Sequence, residues 1–346
     1  MARPSGPESD RAQVGSKDGR ISRRAVLAGT AGLVLAPATV LGRAIQPGSP
    51  ARFTAGGPRL EASTGPIQWP PPSVGGTLGL QTFPPGTSWE QAVEDWNRRT
   101  GTTMQCWKIY YQEGDFGSGN DDRIQAMLTY GIKALVSVKP SRALLPRQKQ
   151  ALSSLLKHFK QDLNLEAEVC LWQEVDSKAM SASQYHDYVK YYGPTVQQYY
   201  PLVFDAPGHV DPGVWNAYAQ GLDFDGYAVD YYGSVYVKNG RTLEQMATIA
   251  GSHPIGLWEI GNTLSTAHPL PSTEQVHDYL TYITNFLTQR VAQHLPVGSV
   301  AWYNAATDST LNEIVGKDVQ QNPWLDIDLQ KYLQLWFDLN GVSASS

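Results

Sequence analysis

From residue 77 onward, short apolar runs alternate with longer segments of helical spacing. The runs lie at 77–83 (TLGLQTF), 102–110, 133–140, 167–174, 201–206, 226–233, 254–261 and 300–304. Each has the length of a strand. Between them, SWEQAVEDWNRR at 88–99 opens on Ser88, an N-cap residue, and repeats apolar side chains at Trp89, Ala92, Val93 and Trp96. Segments 146–163, 181–200 and 272–295 carry the same spacing, and Ser272-Thr273-Glu274 marks the start of the last. Eight strands alternating with helices across residues 76–340 predict an α/β fold, a (β/α)8 TIM barrel forming a single domain. A doubly wound open sheet is the alternative reading. It expects a glycine-rich phosphate turn after the first strand, where this chain has QTFPPGTSWE with Pro84 and Pro85.

The residues before the barrel follow a different pattern. Within 1–44, Arg23 and Arg24 precede a modest apolar run, Ala25 to Leu41, with small residues at Ala36, Ala38 and Ala44. This resembles a bacterial twin-arginine export signal and implies a secreted protein. An uncleaved membrane anchor is the alternative. The run contains Gly, Thr and Pro and is short for a span, so no stable membrane insertion is expected once the signal is removed. Residues 45–75, rich in Pro, Gly and Ser, read as a linker.

Composition narrows the function classes. With 346 residues, 41% of them hydrophobic, the chain has enough apolar material for one large core. A net charge of -5 advertises no basic face for nucleic acid. The only cysteines, Cys106 and Cys170, read as buried thiols, with pairing in an oxidising exterior as the alternative. Neither has a Cys or His at metal-site spacing, so no metal is expected, and no other cofactor.

In a barrel, chemistry belongs at the C-terminal ends of the strands. There the fourth strand presents Trp172, Gln173 and Glu174, and the seventh presents Trp258 and Glu259. The sixth ends in Asp230, Tyr231 and Tyr232, and the eighth in Trp302 and Tyr303. Trp107, Lys108, Tyr110, Lys139, Asp205 and His209 complete the rim. A carboxylate at the exit of the apolar strand PIGLWEIGN is costly unless it is paired or used. Two glutamates in a bowl lined by Trp and Tyr suit glycoside hydrolysis, one protonating the leaving oxygen and one attacking the anomeric carbon. Aromatic faces, with Trp107, Trp172 and Trp258 as candidates, would take the apolar faces of the sugars. The alternative makes Glu174 and Glu259 rim residues in salt bridges with Lys108 or Lys139. No G-x-S-x-G elbow occurs, which argues against an esterase.

With these residues named, a family resemblance can be stated. Glutamates leaving strands four and seven resemble the acid/base and the nucleophile of the retaining glycoside hydrolases of clan A. PIGLWEIGN is similar to the nucleophile strand of family 26, and GYAVDYYG to that family's sixth strand. The resemblance implies Glu174 as acid/base, Glu259 as nucleophile, Tyr231 as the phenol orienting the nucleophile, and Trp302 as a sugar platform. Gln173 stands where the clan has Asn and family 26 has His, and its amide can donate to a sugar hydroxyl. The implied partner is a polysaccharide or oligosaccharide, and a monomer is expected. A carbohydrate-binding or cell-surface protein that keeps the barrel without turnover is the alternative from another class.

Overall fold

The computed structural model describes residues 73–78, 83–116, 121–175, 179–207, 212–232, 242–261, 273–304, 306–307, 310–311 and 336. The export-signal segment, most of the linker, and His209 lie outside the described residues. Local signals act where the sequence puts them. Ser88 and Gln91 form a reciprocal capping box that starts α1 (Trp89–Thr100), and its apolar stripe buries Ala92, Val93 and Trp96. Ser181 and Gln184 do the same for α4 (Ala182–Gln197). Asp121 caps α2 (Asp122–Tyr130) through the backbone of Arg123. The remaining helices are α3 (Pro146–Lys157), which continues as a π-helical turn at His158–Asp162, α5 (Pro212–Ala219), α6 (Thr242–Ala250) and α7 (Thr273–Ala292).

These helices separate eight strands: β1 (Val74–Leu78), β2 (Cys106–Gln112), β3 (Lys133–Lys139), β4 (Ala167–Leu171), β5 (Leu202–Pro207), β6 (Gly226–Tyr232), β7 (Ile255–Gly261) and β8 (Val297–Asn304). They form one closed barrel in chain order, every neighbour parallel, with β1 returning to β8. The chain is therefore a (β/α)8 barrel, as its pattern predicts. The first strand starts at Val74, inside the segment read as linker, because buried Val74 and the two glycines after it pair with β8. Beyond β8, Trp336 is buried and its indole donates to Thr284 on α7 at 2.8 Å.

Side chains alternate between two cores. One lies between barrel and helices; the other fills the barrel interior with Cys106, Leu135, Cys170, Val203, Ala228, Trp258 and Ala301. Both cysteines are free, buried thiols, and burial pushes that of Cys106 up to about 12. Below this layer, Lys133 meets Glu168 at 2.6 Å, and Ser299 donates to the same carboxylate at 2.8 Å.

One irregularity matters for everything above it. Against β6, Val229 faces Leu257 while Asp230 faces Glu259, so Trp258 is an extra residue in β7. Such a bulge turns two successive side chains to one face. Leu257 and Ile260 pack under the helices, whereas Trp258 fills the interior and Glu259 reaches the inward-facing Lys108. The indole fits because its neighbours lack side chains. A Cβ on Gly256 would lie 3.1 Å from the Trp258 Nε1 and 2.9 Å from the Ser299 oxygen, and one on Gly298 would lie 2.7 Å from the Gly256 nitrogen.

This contact predicts a contrast between two glycines. Gly256→Ala should cost about 1–3 kcal/mol by overpacking. Gly114→Ala, where an added Cβ meets nothing within 4 Å, should stay within about 0.5 kcal/mol of wild type. Chemical denaturation of the two variants measures the difference.

Candidate functional site

The upper floor of the barrel is polar and closed to water. Lys108 rises from β2, and its side chain is fully buried. Its ammonium lies 3.0 Å from Asp205 on β5, 2.7 Å from Asp230 on β6 and 3.2 Å from Glu259 on β7. It also sits 5.7 Å from the ring centre of Trp258, which packs beneath Glu259. Burial alone would push the lysine's pKa down. Asp205, Asp230 and Glu259, in that order, outweigh it and hold it well above the usual lysine value. Burial raises both aspartates, Asp230 much the further because Asp205 and Glu259 add to it.

Glu259 is the point where this floor meets the mouth. Only 4% of it is exposed. Its Oε1 accepts from the Tyr110 hydroxyl and forms an ion pair with Lys108, and its Oε2 accepts from Tyr232 at 2.5 Å. Two phenol donors and an ammonium around one carboxyl group suit an acceptor. Burial, then the Glu259 charge, push the phenols of Tyr110 and Tyr232 well above the ordinary tyrosine value, so both stay protonated and keep donating. Tyr303 on β8 packs edge-on to Tyr232, with ring centres 6.1 Å apart.

Glu174 leaves β4 into the same region. Its charge acts on both Asp230 and Tyr303, as does that of Glu259. The backbone carrying it is unusual. Trp172 has φ +64° and Glu174 φ +49°, left-handed conformations for two residues that are not glycine. Strain of this kind, about 1–3 kcal/mol per residue, concentrates where a side chain is held for use.

The structure thus brings together Glu174 and Glu259 around one set of groups, and it redistributes the other residues read from the sequence. Gln173 is half-buried next to Glu174, and among the described residues its carbonyl oxygen accepts no hydrogen bond. Trp172 is half-buried on the rim, with the Arg142 guanidinium 4.5 Å from its ring centre and Tyr188 edge-on. Four assignments need correction. Tyr231 points outward and packs on Tyr279 and Tyr282 of α7; the phenol on Glu259 belongs to Tyr232. Trp302 also points outward and is fully buried, while Tyr303 occupies the inward position. Trp107 faces α1, its ring edge-on to Trp89 at 5.2 Å. Trp258 points inward but is buried beneath Lys108, so it supports the floor and offers no face to a sugar. Reading the strands alone left out Tyr110 and Tyr232 as donors to Glu259, and Asp205 as a partner of Lys108. Their signal was present, since all three lie on the inward phase of their strands.

The pairing of Glu259 with Lys108 does not make it a rim salt bridge. One buried ammonium serves three carboxylates, which predicts a large effect when it is removed. Lys108→Met should destabilise the protein by about 3–5 kcal/mol, because it strands buried negative charge. The deficit should narrow as pH falls: without the cation the carboxylates have raised folded-state pKa values, and that state gains stability as they protonate. Denaturant unfolding of both proteins across the acid range tests the size and the slope.

No family model matches the chain, and no curated protein matches it in sequence. Solved structures match its fold. The glycoside hydrolase family 5 mannosidase of Rhizomucor miehei superposes with a TM-score of 0.54 at 9% identity, over 80% of this chain and 95% of that one. GH26C from a Muricauda species gives 0.50 at 14% identity, over 76% and 85%. The β-glucuronidase of Ruminococcus gnavus, in complex with D-glucuronic acid, gives 0.50 at 12% identity, over 76% of this chain and 49% of that one. At such identities the likeness is one of fold, the (β/α)8 barrel that this chain shares with these glycosidases.

Proposed function

We propose that this protein is a glycoside hydrolase that cleaves a polysaccharide with retention, with Glu259 as nucleophile and Glu174 as acid/base. The observation that carries the proposal is the state of Glu259. It is a nearly buried carboxylate at the C-terminal end of β7, with two phenols donating to it and an ammonium paired with it. A carboxylate offers about four lone-pair sites. Tyr110 donates to Oε1, where Lys108 also pairs, and Tyr232 takes one site on Oε2, which leaves Oε2 a site for the anomeric carbon. Glycosidases among the structures sharing the fold support the reading.

In the first step Oε2 of Glu259 forms a bond to the anomeric carbon as the glycosidic bond breaks, and Glu174 gives its proton to the departing oxygen. In the second, Glu174 takes a proton from water, whose oxygen replaces Glu259 on the sugar. Tyr110, Tyr232 and Lys108 orient the carboxylate and stabilise it as the leaving group of that second step. Gln173, beside Glu174, has an amide to offer a sugar hydroxyl, and Tyr303 takes the platform role assigned to Trp302. The proposed setting is outside the cell. It is supported by Arg23-Arg24 and the apolar run after them.

Three outcomes test these assignments. Glu259→Ala should abolish turnover, with added azide restoring part of it and giving inverted product. Glu174→Ala should still react with aryl glycosides and accumulate the covalent intermediate, detected by intact mass. A substrate complex with the two carboxyl groups about 5–5.5 Å apart fits retention, and a separation beyond about 6.5 Å rules it out. The phenols provide a second test. Tyr232→Phe should lower kcat on the order of 100-fold, while Tyr231→Phe stays near wild type per folded molecule. The reverse order would sink the assignment. For export, changing Arg23 and Arg24 together to Lys should retain the precursor in the cytoplasm; secretion at the wild-type level counts against a twin-arginine route.

A further inference from the structure

We infer that Asp205 and Asp230 share a single proton, as a carboxyl–carboxylate pair, and that this proton sets the charge behind Glu259. The inference starts from a count of charges and hydrogens. Asp205, Asp230 and Glu259 surround one ammonium, and all four side chains are buried, Glu259 the most exposed of them at 5%. Lys108 donates to Asp205 at 3.0 Å and to Asp230 at 2.7 Å, and its ammonium pairs with Glu259 at 3.2 Å. With every acid ionised, the cluster would hold two uncompensated negative charges away from water. Buried charge on that scale is relieved by binding a proton.

The geometry locates the proton. Asp205 Oδ1 and Asp230 Oδ2 are buried and receive no hydrogen bond from any donor among the described residues. Asp205 and Asp230 stand on adjacent strands and hold the same ammonium, at 3.0 and 2.7 Å, which puts their carboxyl groups side by side. One proton shared by the pair relieves the orphan oxygens and removes one of the two excess charges. Glu259 is the wrong place for it, because that carboxylate already accepts from two phenols and pairs with the ammonium. The other titratable groups facing the pair are Cys170 and Glu174 from the β4 side, Tyr110 from β2, Tyr232 from β6, Tyr303 from β8 and Tyr185 from α4. None of them is a cation, so among these described residues Lys108 is the one that opposes the negative charge. Burial, followed by the neighbouring carboxylates, pushes Asp230 up in the same direction.

The consequence for catalysis rests on the reading of Glu259 as nucleophile. With the proton in place, Lys108 is shared between two negative charges, that of the aspartate pair and that of Glu259. Losing it adds a full negative charge behind Glu259 and draws the ammonium toward the aspartates. Asp205 and Asp230 are therefore positioning residues, acting through Lys108.

Infrared spectroscopy of the full chain, with the aspartate side-chain carboxyl carbon labelled with carbon-13, tests the inference without substrate. At neutral pH a protonated-carboxyl C=O band should shift with the aspartate label, both in the wild type and in Glu174→Gln, which removes the proposed acid. The band should be lost in Asp230→Asn and in Asp205→Asn. If aspartate labelling moves no protonated-carboxyl band in the wild type, the inference is overturned, whether or not the variants fold. It is equally overturned if the band survives both Asn substitutions. In Glu174→Ala with an activated aryl glycoside, which needs no acid, the alkaline limb for forming the covalent intermediate should move to higher pH when Asp230→Asn is added, since the amide cannot lose the proton; an unmoved limb overturns the link to Glu259. The band is read in the resting protein, so a chain inactive on every glycan fails the proposed function and leaves the shared proton standing.

Discussion

One ammonium inside a closed barrel must answer to three carboxylates, and the rest of the site follows from that constraint. Lys108 cannot leave its place without stranding charge, so β2, β5, β6 and β7 are tied together at the level of Glu259. The tyrosines above complete the arrangement by donating to the same carboxylate from β2 and β6. Buried ionic clusters of this kind add little net stability beside an apolar core, but they penalise any other geometry heavily. Here the cluster lies directly under the mouth, where a fixed carboxylate matters most. The barrel has a second polar layer of the same character, Lys133, Glu168 and Ser299, below the apolar belt. That lower layer lies at the N-terminal ends of its strands and reads as structural.

The strands were legible because buried parallel strands are short apolar runs, and turn residues separate them. Both glutamates were legible for the opposite reason: a carboxylate at the exit of such a run stands out. What the pattern did not carry was phase. In strands buried on both faces, apolar residues occupy inward and outward positions alike, so YY in β6 and WY in β8 offer two candidates with nothing between them to choose by. Tyr231 and Trp302 were the adjacent, outward members of those pairs. A one-residue slip in a strand moves a side chain to the other face. Trp107 belongs to the same class, since its neighbour Lys108 is the inward residue of β2.

The bulge in β7 added a further difficulty. Strict alternation from Leu257, which packs under the helices, would turn Trp258 inward and Glu259 outward. The extra residue lets both face the interior, one as filler and one as functional group. Nothing in PIGLWEIGN announces it except Gly256, whose missing side chain leaves room for the indole. The left-handed backbone at Trp172 and Glu174 was equally hidden, because neither residue type favours that conformation. In both places a local rule is broken beside a group that the proposed chemistry uses.

The seam of the barrel bears on when the site comes into being. β1 lies against β8 along its whole length, Val74 to Leu78 opposite Val300 to Asn304, but meets β2 at only Gly75 and Gly76. The first strand made during synthesis therefore waits for the last before it finds most of its partners. Joining segments so distant in the chain is slow compared with forming a local helix or a neighbouring strand pair. Tyr303 arrives on that same final strand, beside Tyr232. Until the ring shuts, a nascent chain can carry Lys108, both aspartates and both glutamates in order and still have no enclosed, water-free floor to hold them. The candidate chemistry is thus a property of the finished molecule, acquired late and all at once.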